Sequence, residues 1–239
     1  MKIFIVIPTY NEKENICRLT EKIFKLKIDG LGMIIIDDNS PDGTGPLIDE
    51  LAKKYSLTTI HRPDKQGLGS AYRLGLKMAL DKGADLIFQM DADFSHDPNS
   101  IPVFLEEIKN GAEIVIGSRR IRGGKIIGWN WWRHFCSLMA SSAARLLLNL
   151  KTKDVTSGFR CYQRRALEQI DINKIKSSGY AFFEEITYLA EQERLKIKET
   201  PIIFLDRQTG KSKLGSREII KFFKTIARLW LEKNKSVKK

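Results

Sequence analysis

An α/β fold with a mostly parallel central sheet flanked by helices is what this chain of 239 residues predicts, on three observations. Short aliphatic runs bounded by turn residues recur through the first half, stretches of helical spacing lie between them, and polar residues gather where the runs end. The runs are KIFIVIP, GMIIIDD, LTTIH, DLIFQMD and AEIVIG, read as five strands. After the first strand, Asn11 with Glu14 three residues on is a capping-box-like start for a helix over NICRLTEKIFKL. Pro46 takes the first turn of a helix over LIDELAKKY, and Pro98 does the same for NSIPVFLEEIKN. A further helix covers residues 70–82, and the QGLGSAYRLG segment at its start invites a dinucleotide-binding reading. That reading fails, because the third glycine position counted from Gly67 is Tyr72 and no acidic residue stands at the ribose position. Gly67 and Gly69 instead let the loop pass close to a neighbour. Strands alternating with helices imply right-handed crossovers.

Beyond Lys125 the pattern changes. IIGWNWWRHFCSLMASSAARLLLNL holds three of the four tryptophans and continues into a helix mixing apolar and small residues. Tryptophans beside arginines suit the headgroup level of a membrane, and burial of Trp131 and Trp132 in an aromatic core is the alternative. The last segment places Ile219, Ile220, Phe222, Phe223, Ile226, Leu229 and Trp230 at helical spacing among Lys and Arg. Such a helix over 216–239 lies on an anionic membrane, packs on a partner helix or docks on its own domain.

At 42% hydrophobic residues the chain can bury the core of one domain, or at most two. No apolar run reaches the length of about eighteen residues that spans a bilayer, and LMASSAARLLLNL is interrupted by Arg145 and Asn149. The start runs directly into acidic residues without a small-residue cleavage site, so the expected location is cytoplasmic. Cys17, Cys136 and Cys161 have no C-x-x-C spacing, which argues against a disulfide framework or a zinc site. His61, His96 and His134 are scattered and read as structural or surface residues. Lys plus Arg at 41 against Asp plus Glu at 29 gives +12, much of it in residues 119–165 and 207–239. That charge favours an anionic partner, whether phosphorylated substrate, acidic lipid or nucleic acid, and a plain solvated surface is its bland counterpart. No recognition helix, aromatic RNA-binding strand or zinc module supports nucleic acid.

In parallel sheets ligands sit at the carboxyl ends of the strands. Residues 8–12 follow the first strand, Asp37 and Asp38 the second, Asp91 and Asp93 the fourth, and residues 117–119 the fifth. Two carboxylates separated by Ala92 repel unless a proton or cation is shared. Hard oxygen donors favour Mg2+ or Mn2+.

The segments IPTYNEKENI, IIIDDNSPDGT, GLGSAYRLG, MDADFSHDP, IGSRR, DVTSGFRCY, GYAFFEE and LDRQTGKSKLG together resemble dolichol-phosphate mannose synthases, family 2 glycosyltransferases with a GT-A fold. The match runs in order over nearly the whole chain and is similar to the form without carboxyl-terminal membrane spans. It implies one GT-A domain over 1–215, with a nucleotide-sugar half at 1–125 and an acceptor half at 126–215, before the basic helix of 216–239. It further implies that Pro8, Tyr10, Glu12, Ile36 and Asp38 hold the guanosine of GDP-mannose, that Asp91, Ala92 and Asp93 bind nucleotide sugar and a Mg2+ or Mn2+ ion, and that Arg119, Arg207 and Lys213 handle phosphates. Three places depart: Arg120 stands where relatives often have Tyr, Ser137, Leu138, Met139, Ala140 and Ser141 where many have an S-R-G-A-N-like helix start, and Ser95 where they can offer a longer polar side chain.

The implied reaction is inverting transfer of mannose to dolichyl or polyprenyl phosphate at the cytoplasmic face of an anionic membrane, with a small membrane-anchoring subunit as a possible partner. A phosphate acceptor is already nucleophilic at neutral pH, its second pKa lying near about 6. A hydroxyl acceptor would need a carboxylate base, for which Asp154 and Glu185 are the candidates; otherwise Asp154 orients the TSGFR loop and Glu185 pairs with a basic residue. The residues alone leave open a related transferase using UDP-glucose, or a basic nucleic-acid-binding protein.

Overall fold

A computed structural model describes residues 1–206 and the helix of 216–236. The five expected strands form as β1 (Ile3–Thr9), β2 (Leu31–Asp37), β3 (Leu57–His61), β4 (Leu86–Gln89) and β5 (Ile114–Ser118). Between them lie α1 (Lys13–Phe24), α2 (Thr44–Ala52), α3 (Leu68–Asp81) and α4 (Ile101–Lys109). The second half adds β6 (Lys125–Ile127), α5 (Trp131–Leu148), β7 (Arg160–Gln163), α6 (Arg164–Ile170), α7 (Phe182–Gln192), β8 (Ile197–Pro201), β9 (Ile203–Leu205) and α8 (Ser216–Ser236).

Seven strands form one sheet in the order β3-β2-β1-β4-β7-β5-β8. All pairs are parallel except those of β7, which runs antiparallel between β4 and β5 and sets Arg160 opposite Gln89 and Ile116. β6 and β9 make a separate parallel pair. β1 is buried along nearly its whole length because helices cover both faces, as a continuous aliphatic run requires. Its alternate residues divide between two cores. Val6 packs with Ile34, Ile36, Tyr72 and Leu76, whereas Ile5 and Ile7 pack with Ile16, Leu19 and Phe104. A third, smaller cluster joins Ala144 and Leu148 of α5 to Tyr188 of α7 and Phe222, Ile226 and Leu229 of α8.

Three local expectations change. The capping box does not form: α1 is capped at Glu12 with no side-chain bond, and Asn11 turns left-handed at φ 57°, its N–H donating to Ser40 Oγ at 2.9 Å. Pro98 opens a short 3₁₀ turn ahead of α4 rather than α4 itself, because the Asp97 carboxylate already accepts the Asn99 N–H. The run DLIFQMD is strand only from Leu86 to Gln89, so Asp91, read as its last residue, lies with Asp93 in the loop beyond. The two glycines behave as expected, since a Cβ on Gly67 would stand 2.5 Å from the Ser178 carbonyl oxygen and one on Gly69 2.6 Å from Phe182 Cβ. No helix among the described residues is long and apolar enough to cross a membrane.

Candidate active site

The carboxyl ends of β1 and β2 bring one group of expected residues together. Pro8 and Ile36 face each other across the β1–β2 ladder, and Asp38 N–H donates to the Thr9 carbonyl at 3.1 Å. The Ile36 side chain is spent in the core, so only its backbone faces the strand end. Asp38 is buried and bound by Arg62, which also reaches Ser70 Oγ at 2.7 Å at the start of α3. Burial pushes the Asp38 carboxyl up, against the pull of that guanidinium. Tyr10 carries Lys65 Nζ 4.4 Å above its ring, and Glu12 Oε2 accepts from Asn15 Nδ2 at 2.9 Å. A cavity of about 280 Å³ beside them is lined by Asp37, Asn39, Asp49, His61 and Arg62.

The Asp-Ala-Asp loop is held from beneath. Ala92 is buried in the core and Asp93 beside it is buried as well, whereas Asp91 is partly exposed. The Tyr72 hydroxyl donates to Asp91 Oδ1 at 2.7 Å, and burial, reinforced by that carboxylate, keeps the phenol protonated. His96 Nδ1 accepts the Asp91 backbone N–H at 3.2 Å, which puts the ring proton on Nε2; burial lowers the imidazole pKa and keeps it neutral. Asp93 Oδ1 accepts the Ser95 N–H at 3.1 Å. The Asp91 side chain keeps 32% exposure. Two hard carboxylates fit a divalent cation, and Ser95 Oγ, buried two residues on from Asp93, has no bonding partner among the described residues. Among the described residues no group of three His, Cys, Asp or Glu could hold an ion. Two carboxylates alone fill only part of the roughly six oxygen positions that Mg2+ or Mn2+ takes, so an ion at this loop would draw its remaining oxygens from ligand and water.

Arg119 lies at the end of β5. Its Nε and backbone N–H both donate to Asp154 Oδ2 at 2.8 Å, and one terminal nitrogen reaches Asp154 Oδ1 and Thr156 Oγ1 at 2.7 Å each. Burial alone would raise the Asp154 carboxyl, but the guanidinium outweighs it and holds it below the usual carboxylate range. The guanidinium carbon also stands 5.2 Å from the Phe204 ring centre and 5.9 Å from that of Trp129. Arg120, whose role the departure from relatives obscured, donates to Ser137 Oγ at 2.9 Å and so ties β5 to α5. Glu185 is fully engaged: Lys176 N–H, Ser177 N–H, Ser177 Oγ and Arg228 all donate to it. The expected phosphate contacts Arg207 and Lys213 lie outside the described residues.

Three contributors were not legible from spacing: Tyr72, Arg62 and His96. Tyr72 entered the reading only as the residue that breaks a glycine motif, yet it is the hydrogen-bond donor to Asp91. Only its chemistry as a buried phenol, directed at the end of β4, could have flagged it.

Away from this centre, α5 shows an inverted amphipathicity. Trp131, Trp132, Phe135, Leu138, Met139 and Leu146 point outward, Trp131 at 76% exposure, whereas Ser141 and Ala144 face the protein. The aromatic-core alternative for Trp131 and Trp132 is thereby corrected. α8 docks on its own domain through Phe222, Ile226 and Leu229 and still presents Ile220, Phe223, Trp230 and Leu231 to solvent.

A polyprenol monophosphomannose synthase of Mycolicibacterium smegmatis is 37% identical over 220 residues, spanning 91% of this chain and 83% of its own. An undecaprenyl-phosphate mannosyltransferase of Micrococcus luteus is 39% identical over 216 residues, spanning 90% and 88%. A dolichol-phosphate mannosyltransferase of Pyrococcus furiosus is 37% identical over 233 residues, which is 96% of this chain but 64% of that relative. Two solved structures are similar in fold at low identity. One is the glucosyl-3-phosphoglycerate synthase from Mycobacterium tuberculosis with Mn2+, UDP-glucose and phosphoglyceric acid, with TM-score 0.68, 19% identity and coverage of 96% and 79%. The other is a mannosyltransferase from Pyrobaculum calidifontis with GDP-Man and Mn2+, with TM-score 0.60, 15% identity and coverage of 95% and 64%. The glycosyl transferase family 2 profile matches residues 4–171, and with that span and those relatives the chain belongs to glycosyl transferase family 2, a GT-A-type glycosyltransferase.

Proposed function

We propose that the enzyme transfers mannose from GDP-mannose to a polyprenyl or dolichyl phosphate with inversion at the anomeric carbon. The names of the relatives support the sugar and the acceptor class, and the GDP-Man complex of the Pyrobaculum protein supports the donor. The observation that carries the acceptor is the state of the two candidate bases. Both oxygens of Asp154 are bound by Arg119, and Glu185 is bound by two backbone N–H groups, a hydroxyl and Arg228. A hydroxyl acceptor needs a free base; a phosphate acceptor needs none. An acceptor phosphate oxygen forms the bond to the anomeric carbon as the bond to the GDP β-phosphate breaks, and the electron pair departs with GDP. No proton has to move.

Pro8, Tyr10, Glu12, Ile36 and Asp38 form the guanosine side of this reading. Asp91 and Asp93 would hold a Mg2+ or Mn2+ ion, which supplies positive charge to the leaving diphosphate. Arg119, with Arg207 and Lys213, offsets repulsion between the two phosphate-bearing substrates and aligns them. The outward apolar stripes of α5 and α8 serve peripheral attachment to the cytoplasmic face of an anionic membrane, where a lipid phosphate resides.

The test offers purified enzyme radiolabelled GDP-mannose with a short prenyl phosphate, with and without divalent cation, alongside UDP-glucose as donor and prenyl alcohol as acceptor. Label should enter lipid only with GDP-mannose, prenyl phosphate and cation together. Comparable transfer to the alcohol would overturn the reading of the acceptor.

A further inference from the structure

Glu184 is a buried acid that the reaction above does not use. It lies in the first turn of α7 with 2% exposure, and its Oε2 meets no hydrogen-bond donor. α7 packs against the loop that leads to β7: a Cβ on Gly158 would stand 3.1 Å from Phe183, and Arg160 sits 5.3 Å from the Phe183 ring centre. Arg160 donates to Thr187 Oγ1, one turn beyond Glu184, at 2.9 Å, and to the carbonyls of Ser157 and Val155. These acceptors are neutral, so among the described residues the Arg160 charge is hydrogen-bonded without being ion-paired. Arg119, by contrast, is matched to Asp154. Among the described residues Glu184 forms no ion pair with either guanidinium. An ionised carboxylate in such a place would be desolvated with one oxygen unbonded, a costly arrangement.

We propose that Glu184 is a positioning residue for the phosphate-bearing ligand: an uncharged carboxyl buried within electrostatic reach of Arg119, Asp154 and Arg160, it leaves this buried cluster one positive charge in excess for the anion to balance. Among the charges that act on Glu184, two guanidinium groups against the one carboxylate of Asp154 give that excess; an ionised Glu184 would cancel it. The charged groups acting on Glu184 are Arg160, Asp154 and Arg119, from β7, the loop before it and the end of β5. Burial dominates them and lifts the Glu184 carboxyl to about 8. The site therefore favours anions below that pH and loses its excess charge above it, while the ligand phosphate, with its second pKa near about 6, no longer titrates there. The proposal rests on the reading of Arg119 as a phosphate contact.

Calorimetric titration of the full chain with a short prenyl phosphate, without metal, at about pH 7.5 and about pH 9 tests it. In the wild type the affinity should fall about fivefold across that interval, most of the roughly tenfold effect of one charge at roughly 10 Å in an effective dielectric near ~20, because an acid titrating at about 8 is already partly ionised at the lower pH. In Glu184→Gln the fall should vanish. Difference infrared spectra of the wild type should lose a protonated-carboxyl C=O band over the same interval, and Glu184→Gln should show no such loss. Affinity that stays constant while the band titrates overturns the positioning role alone, as does absence of the band at the lower pH. Absence of binding at either pH overturns the phosphate reading of Arg119 and the proposal with it.

Discussion

Tyr72 donates to Asp91 Oδ1, and support of this kind beneath a carboxylate proposed to bind metal typically governs affinity by about 10–100-fold. Tyr72→Phe should weaken Mn2+ uptake in the presence of GDP about tenfold by calorimetry while circular dichroism stays unchanged. Asp154 plays a different part. It is fully buried against Arg119, and Asp154→Asn would strand that guanidinium, so denaturant unfolding should show a loss of about 3–5 kcal/mol. Residues of this kind mark the limit of reading a sequence. Pro8, Asp38, Asp91 and Asp93 could be placed because each follows an aliphatic run, and strand ends converge. Tyr72, Arg62 and His96 reach the site from inside a helix or from loops, where a single polar residue carries no periodic signal. Glu184 stood next to the more conspicuous Glu185; both are buried, and only hydrogen bonding separates an acid engaged by four donors from one with an unbonded oxygen.

The elements themselves divide in the same way. β1 to β5 were legible because each is a short aliphatic run closed by turn residues, and α1 to α4 because apolar spacing and prolines mark them. β7 was not, since RCYQ has neither alternation nor a hairpin turn; its place is dictated by the open edges of β4 and β5. α3 lies so close to β1 that a Cβ on Gly75 would stand 2.3 Å from Val6 Cγ1, hence Gly75→Ala should lower stability by about 1–3 kcal/mol in urea titration. For α5, its more apolar face looks outward. Trp131→Glu combined with Trp132→Glu should abolish cosedimentation with anionic, protein-free vesicles and leave the unfolding midpoint within error, because neither ring is in the core. Retained cosedimentation would mean that another face makes the attachment.

For the molecule as a whole, a charge of +12 makes vesicle attachment sensitive to ionic strength: raising salt from about 0.05 to about 0.5 M should weaken it on acidic vesicles far more than on neutral ones. Two buried acids give the fold opposite dependences on pH. Asp154 has a lowered pKa, so its contribution is present above the ordinary carboxyl value near ~3.9 and is lost as pH falls through the lower folded value. Glu184 has a raised one, so its contribution is present at acid pH and is lost as pH climbs from the ordinary carboxyl range through about 8. The melting temperature of Glu184→Gln should accordingly pull ahead of the wild type between about pH 5 and pH 8 and then hold a constant lead. The chain leaves the sheet at Ser118 and returns at Arg160 running the opposite way, between two strands already in place. Everything from α5 to the TSGFR loop thus hangs from adjacent anchor points and behaves like a cassette. Grafting a relative's segment between those two anchors should redirect which lipid the enzyme accepts while the nucleotide it recognises stays the same.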